Sequence, residues 1–141
     1  MPILTRQQIR IVEGRLHNYE NMKLEVKAWR SDVIGMHGKA ELIPGQGYHS
    51  DAVRDAVEKL ENPPSAIKNK MAWIHAIDKV RDRIKGTTGE AVLSTWYGQP
   101  AQTIDEACIK AHVSRPVFIQ WRERIVMGVA IYAAASGVLR V

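Results

Sequence analysis

Cysteine is almost absent from this 141-residue sequence, which has one thiol, Cys108. A single cysteine cannot form a disulfide within the chain, and no Cys-x-x-Cys pair is present to hold zinc. The five histidines also lack the spacing of a metal site. We therefore expect no disulfide, no metal, no other cofactor, an inert Cys108 and a reducing compartment, the cytoplasm.

Long apolar runs are missing as well. The most apolar stretch, residues 125–139 (IVMGVAIYAAASGVL), is shorter than the roughly 20 residues that a membrane-spanning helix needs. No secretory signal is visible at the N-terminus. We interpret residues 125–139 as a buried or self-associating helix end and expect no membrane contact. The sequence also has no phosphate-binding glycine loop and no recognised nucleophile motif, so we expect no enzymatic activity.

Positive charge is unevenly distributed along the chain. Residues 1–62 contain nine basic and nine acidic side chains, whereas residues 63–141 contain eleven basic and six acidic ones. The whole net charge of +5 therefore belongs to the C-terminal part. Such asymmetry is typical of a protein of which one part faces a nucleic acid.

The spacing of the apolar residues predicts helices and no strand of any length. A helix or helix pair is predicted over residues 5–31 with a break in HNYEN, followed by a glycine-rich loop at 35–49 and a short helix at 50–61. A longer helix with a basic face begins at Pro64, and a turn and a short helix follow it. We predict an all-α fold with an N-terminal helical region, residues 1–62, and a C-terminal domain, residues 63–141.

Residues 103–126 have the pattern of a helix-turn-helix. Thr103 and Glu106 form a Thr-x-x-Glu capping box that starts one helix. Ser114 starts a second helix about three residues after the first ends, and Pro116 fits its first turn. His112 occupies the turn, where unusual dihedral angles are tolerated. The predicted core of the motif has small residues in the first helix and large ones in the second: Ala107, Cys108, Ala111, Val113, Phe118, Trp121 and Ile125.

The outer face of the second helix is the predicted DNA-binding surface. In a DNA-bound helix-turn-helix, the N-terminal residues of this helix meet base edges, where arginine can pair with guanine and glutamine with adenine. The predicted base contacts are Arg115, Pro116, Ile119, Gln120 and Glu123. The predicted phosphate contacts are Thr103, Ser114, Arg122 and Arg124, together with Arg81 and Arg83 of the preceding basic helix. The expected partner is double-stranded DNA.

Residues 71–134 resemble a known group of proteins. WYGQPAQTIDEACIKAHVSRPVFIQWRERIVMGVA, with the motif HVSR..F..WR..IV at 112–126, is similar to the C-terminal part of the phage RinA/ArpU-like late transcriptional regulators, whose helix-turn-helix resembles region 4 of sigma-70 factors. MAWIHAIDKVRDRI is similar to the helix that precedes it there. The resemblance implies a phage or prophage activator of late genes that binds promoter DNA in the bacterial cytoplasm and can contact RNA polymerase. Val117 and Ile119 depart from the group's small polar and aromatic residues, which implies either a different DNA preference or a loss of DNA binding.

Two other functions are compatible with the sequence. A small terminase subunit, the DNA-recognition component of phage packaging, also combines a helix-turn-helix with oligomerising helices, and the C-terminal apolar helix is the candidate homo-oligomer surface. The third possibility is a protein that binds RNA polymerase without touching DNA. A ring of subunits in solution would identify the terminase, whereas the absence of any salt-dependent DNA affinity would identify the RNA polymerase-binding protein.

Overall fold

The computed structural model describes residues 4–38, 49–98 and 103–141. Over those ranges the chain forms seven α-helices and no strand, which confirms the predicted all-α class. The helices are α1 (Arg6–His17), α2 (Tyr19–Gly38), α3 (His49–Glu61), α4 (Ser65–Ile84), α5 (Thr88–Tyr97), α6 (Ile104–Ala111) and α7 (Arg115–Ala135). The predicted break between the first two helices is the single residue Asn18. α2 continues to Gly38, so the glycine-rich loop does not begin at residue 35; the rest of that prediction, at residues 39–48, lies outside the described ranges.

Side-chain caps fix where the helices start. At α1 the Thr5 hydroxyl accepts from the Gln8 amide at 3.1 Å, and the Gln8 side chain accepts from the Thr5 amide at 2.8 Å, a reciprocal capping box. Thr87 caps α5 through the Gly89 amide. Thr103 caps α6, because its hydroxyl accepts from the Glu106 amide at 3.2 Å. These threonines satisfy backbone donors that have no partner inside a helix.

The chain divides into two compact units, and the division does not coincide with the boundary predicted between residues 62 and 63. The first unit comprises residues 1–19 and 72–141, and the second unit comprises residues 20–71. α1 belongs to the first unit because it packs against α7. Its buried side chains, Val12 and Leu16, are therefore part of the same core as the C-terminal helices.

The C-terminal apolar stretch supplies the core of the first unit. Val129 and Ala133 of α7 are fully buried. Gly128 allows α7 to approach α4 closely, since a Cβ at this position would be 3.1 Å from Val80 Cγ2. Of the two interpretations of residues 125–139, the structure supports the buried one. The large side chains with less than 2% exposure in this unit are Val12, Trp73, Ile77, Val92, Phe118, Ile125 and Val129. Within the described ranges, every helix is too short or too polar to cross a membrane.

The second unit buries fewer of its described side chains. It contains nearly all of α2, the whole of α3 and the first turns of α4, and Lys70 of α4 forms an ion pair with Glu25 of α2. The buried apolar residues of this unit are Met22, Val26, Val33 and Ala52. Its exposed large apolar residues are Leu24, Ile34, Val53 and Val57.

Candidate nucleic-acid interface

A tight turn joins α6 to α7. α6 ends at Ala111 and α7 begins at Arg115, so three residues connect them. His112 has φ 57° and ψ 45°, the left-handed conformation, and is the one non-glycine residue with positive φ in the described ranges. The His112 amide donates to the Ile109 carbonyl at 3.3 Å and the Val113 amide donates to the Cys108 carbonyl at 3.1 Å. This Schellman pattern ends α6 abruptly and turns the chain into α7.

The start of α7 leaves polar groups available at the surface. Ser114 has the extended backbone of an N-cap residue, but its hydroxyl makes no capping hydrogen bond among the described residues. Pro116 lies in the first turn, where its missing amide hydrogen costs nothing. The first turn of α7 therefore exposes backbone amides and the Ser114 hydroxyl, the groups that commonly bind an anion at a helix start.

The residues predicted to contact bases all lie on the exposed side of α7. The set is Arg115, Pro116, Ile119, Gln120 and Glu123. Arg115 Nη1 lies 3.6 Å from Asp105 Oδ1 of α6, and both side chains stay mostly exposed. A solvated pair of this kind contributes only about 0–1 kcal/mol, so Arg115 can exchange Asp105 for another partner at little cost.

The inner side of α7 meets α5 as well as α6. Phe118 is fully buried and its ring contacts Trp96 edge-on, with centroids 5.6 Å apart. Ala107, Cys108, Ala111 and Ile125 are also buried. Val113 and Trp121 are only half-buried, less than we predicted for motif core residues. The Trp121 ring lies on Gly89 of α5, where a Cβ would be 2.5 Å from Trp121 Cε3. Its other neighbour is the Arg124 guanidinium, 5.1 Å from the ring centroid.

Arg122 faces the interior of the first unit and not the exposed surface of α7. Its Nη2 donates to Glu13 Oε1 of α1 at 3.1 Å, and its guanidinium stacks 4.6 Å from the Trp96 ring centroid. Only 24% of the side chain is exposed. Because Glu13 already balances this charge, the structure does not support the predicted phosphate contact at Arg122. α1 and α7 belong to the same unit, which is why Glu13 meets Arg122 although the two residues are far apart in the sequence.

Glu13 links three helices through its carboxylate. Besides Arg122, it accepts a hydrogen bond of 3.1 Å from the Tyr97 hydroxyl of α5. Burial and the neighbouring Glu13 carboxylate raise the pKa of Tyr97, which keeps this hydroxyl protonated as a donor. His17 approaches the same carboxylate at 3.9 Å and meets the Tyr97 ring edge-on. We call Glu13, Tyr97 and Arg122 the Glu13 network. One sequence signal could have revealed it: Glu13 falls within the apolar stripe of α1, between Ile9 and Leu16.

The remaining predicted phosphate contacts are distributed over more than one surface. Thr103 is exposed at the start of α6, and Arg124 is exposed on the third turn of α7. Arg81 and Arg83 do not form one cluster, because residues two apart on a helix point in different directions. Arg81 stacks 5.0 Å from the ring of Tyr19, whereas Arg83 stacks 5.8 Å from the ring of Tyr132.

Arg83 is also far from the predicted base contacts. Tyr132, the ring on which Arg83 stacks, lies three turns beyond Gln120 on α7. At 1.5 Å per residue this separation is roughly 18 Å along the helix axis. A duplex bound at the start of α7 would therefore meet Arg83 away from the base contacts, and the phosphate contact at Arg83 stays a prediction. Arg81, exposed beside α5, stays a candidate.

α1 lies beside the second half of the outer face of α7. Ile119 and Glu123, both predicted base contacts, line a groove together with Leu4 and Ile9. The groove has a volume of about 410 Å³, and its remaining lining residues are Glu13, Arg122, Val126 and Met127. The predicted base-contacting surface is thus a composite of the C-terminal helix pair and the N-terminal helix.

Metal ligands are not brought together at this surface. In the ranges that the structure describes, no group of three or more His, Cys, Asp or Glu side chains is arranged to hold a metal ion. Cys108 is a free thiol buried in α6. The chemistry available at the start of α7 is therefore hydrogen bonding, ionic contact and apolar contact.

Comparison with family models, curated proteins and solved structures gives no match. The resemblance to the phage late regulators therefore stays a prediction.

Proposed function

We propose that this protein binds double-stranded DNA with sequence preference and that α6 and α7 are its helix-turn-helix. The observation that carries the proposal is the exposed row of Arg115, Pro116 and Gln120 on the first two turns of α7, directly after a three-residue turn. In DNA-bound helix-turn-helix proteins, the same part of the second helix meets base edges in the major groove.

Several exposed residues of the first turns have a chemical role in this proposal. Arg115 pairs with a guanine and Gln120 with an adenine, each through two hydrogen bonds. Ile119 contacts a thymine methyl group, and Glu123 accepts from a cytosine amino group. Ser114, with its uncapped hydroxyl, contacts a phosphate, as do Thr103, Arg124 and Arg81. Arg122 has the different role of holding α7 against α1.

At a finer level we propose a transcriptional regulator, an activator of late phage genes that binds at a promoter and contacts RNA polymerase. The support is the resemblance of residues 71–134 to the phage late regulators. The burial of Val126, Val129 and Ala133 speaks against the terminase alternative, because the apolar stretch available for ring formation is occupied inside the first unit.

A selection of bound duplexes from a random pool tests the proposal. We expect an enriched motif, and we expect Arg115→Ala and Gln120→Ala each to cost about 1–3 kcal/mol on that motif and to relax preference at one position. Arg30→Ala, an exposed arginine of the second unit, is the matched control and should leave affinity unchanged. Equal losses on the motif and on random DNA would show that Arg115 and Gln120 contact only the backbone.

A specific observation favours the RNA polymerase-binding alternative. Ile109 is 74% exposed on α6, and Val117 and Ile119 are exposed on α7. Large exposed apolar side chains are a common feature of protein-binding surfaces. If this alternative holds, no duplex binds with a salt-dependent affinity, and Ile109→Lys abolishes retention of the protein on purified RNA polymerase.

A further inference from the structure

α3 has an apolar face that the described chain leaves open. Val53, Val57 and Leu60 recur at intervals of four and three residues, so they lie along one side of the helix. Val53 is 48% exposed and Val57 is 44% exposed. The opposite side carries Asp51 and Asp55, which are also exposed. An amphipathic helix in a folded protein normally buries such a face, and α3 does not.

The unit that contains α3 is small and buries few apolar side chains. It comprises residues 20–71, and its buried apolar side chains in the described ranges are Met22, Val26, Val33 and Ala52. A small unit buries a smaller fraction of its surface than a larger domain does, so it is marginal by itself. Leu24 and Ile34 of α2 are also exposed in this unit.

We propose that α3 is a self-association helix, on which a second copy of this chain packs its own α3 in antiparallel orientation about a twofold axis at Val57. In this arrangement Val57 meets Val57 of the second copy, and Val53 of each copy lies within one residue, about 1.5 Å along the helix, of Leu60 of the other. A twofold interface is isologous, so the same three apolar side chains are covered on both chains.

The charges beside this face favour the same register. Arg54 and Glu61 are seven residues apart, close to two helical turns, so both border the apolar face on one side. In the antiparallel pair centred on Val57, Arg54 of each chain lies opposite Glu61 of the other. Both side chains are exposed and have no ionic partner among the described residues. A second copy therefore supplies both the apolar cover and two opposite charges, and no other partner need be invoked.

Sedimentation equilibrium over a range of protein concentrations tests the association on the full chain. The expected mass rises with concentration from the 15.9 kDa of one chain toward twice that value. Val57→Lys should raise the dimer dissociation constant by about tenfold or more, because the residue is lost from both sides of the axis. Asp55→Lys on the opposite side of α3 is the control and should leave the dissociation constant unchanged.

A charge exchange tests the register. Arg54→Glu alone and Glu61→Arg alone should each weaken the dimer, because each leaves like charges opposed across the axis. The double variant Arg54→Glu with Glu61→Arg should restore the wild-type dissociation constant. These residues are exposed, so circular dichroism spectra should be the same for all variants. A single mass of one chain at every concentration, an effect of Asp55→Lys equal to that of Val57→Lys, or a failure of the double variant to recover would each overturn the proposal. The test uses no DNA and is independent of the proposed function.

Discussion

The two halves of α7 have opposite surroundings although they form one continuous helix. In the second half, Ile125, Val126, Val129, Ala130 and Ala133 are buried, and the helix is enclosed on most sides. In the first half, only Phe118 is fully buried, and Arg115, Gln120 and Glu123 are exposed. The comparison indicates that one end of α7 anchors the helix in the first unit, while the other end presents side chains at the surface. A rigid anchor allows the presenting half to hold a fixed register without many contacts of its own.

The largest expected effect comes from removing the one buried ring in the presenting half. Phe118→Ala should lower the free energy of unfolding by about 3–5 kcal/mol, because the ring is fully buried against Trp96 and leaves a cavity. Urea denaturation followed by circular dichroism measures it. Ile131→Ala in the anchoring half is the control: 52% of Ile131 is exposed, so its loss should be a small fraction of that cost. Similar costs for the two variants would contradict the assignment of Phe118 to the core.

The next largest effect concerns the Glu13 network, which links α1 to α7 near the boundary between the two halves of α7. Glu13→Ala should cost about 1–3 kcal/mol of unfolding free energy, because Arg122 and Tyr97 both lose their acceptor in a partly buried site. Glu20→Gln on α2, an exposed position, should change it little. A double-mutant cycle with Arg122→Ala measures the coupling directly. Additive effects of the two substitutions would show that Glu13 and Arg122 act independently.

Alanine substitutions at two glycines separate the effect of Trp121 packing on stability from the effect of helix propensity. Gly89→Ala should destabilise the protein by about 1–3 kcal/mol, since the new Cβ meets the Trp121 ring at 2.5 Å and the ring or α5 must move. Gly14→Ala in α1 is the matched change with no atom within 4 Å, and it should stabilise by about 0.5–1 kcal/mol. Thermal unfolding of both variants provides the comparison. Stabilisation by Gly89→Ala would show that Trp121 does not rest on α5.

The Glu13 network also predicts a dependence on alkaline pH. Burial and the Glu13 carboxylate raise the pKa of Tyr97 above its ordinary value of 10.0, so the unfolded chain loses this proton first as the pH rises. The stability that the protonated Tyr97 hydroxyl contributes is therefore fully present below about pH 10. The free energy of unfolding falls as the pH rises above that value. Urea denaturation at a series of alkaline pH values should show a shallower decline for Tyr97→Phe. Parallel curves for the two proteins would contradict the burial of this hydroxyl.

The smallest effect concerns the presenting half alone. Asp105→Asn removes the partner of Arg115 and a negative charge at the proposed DNA surface, with little change in stability because the pair is exposed. We expect a several-fold gain in affinity for every duplex, measured by fluorescence anisotropy at low salt. Asp32→Asn in the second unit removes the same charge elsewhere and controls for net charge. Equal gains in the two variants would indicate a general field effect and not the release of Arg115.

Local features of the sequence predicted the helices well. The Thr103 cap and the spacing of Phe118 and Ile125 depend on residues within one or two helical turns, which a sequence displays directly. The left-handed turn at His112 was likewise expected from its position between two helices. Helix caps and turns are set by hydrogen bonds between residues that are close in the sequence, so the sequence predicts them directly.

Side-chain destinations that depend on distant partners were not predictable in the same way. The sequence around Arg122 does not distinguish it from an exposed arginine. Its inward orientation depends on a hydrogen bond with Glu13, which lies 109 residues away in the chain. Trp121 is half-buried, and its ring packs against Gly89 of α5, which has no side chain to keep it away. Arg81 and Arg83 were grouped by their proximity in sequence, although they stack on the rings of different helices.

The first unit brings together both ends of the chain. The Gln8 side chain of α1 donates to the Arg140 carbonyl at 2.8 Å, across 132 positions of sequence. Because α1 ends at His17 and α7 begins at Arg115, α1 is synthesised well before its partner α7. The apolar side of α1 therefore lacks this partner until α7 is made, and a docking step over so long a separation is slow. A nascent chain arrested before residue 115 should expose Val12 and Leu16 to chaperones, whereas the released chain should not.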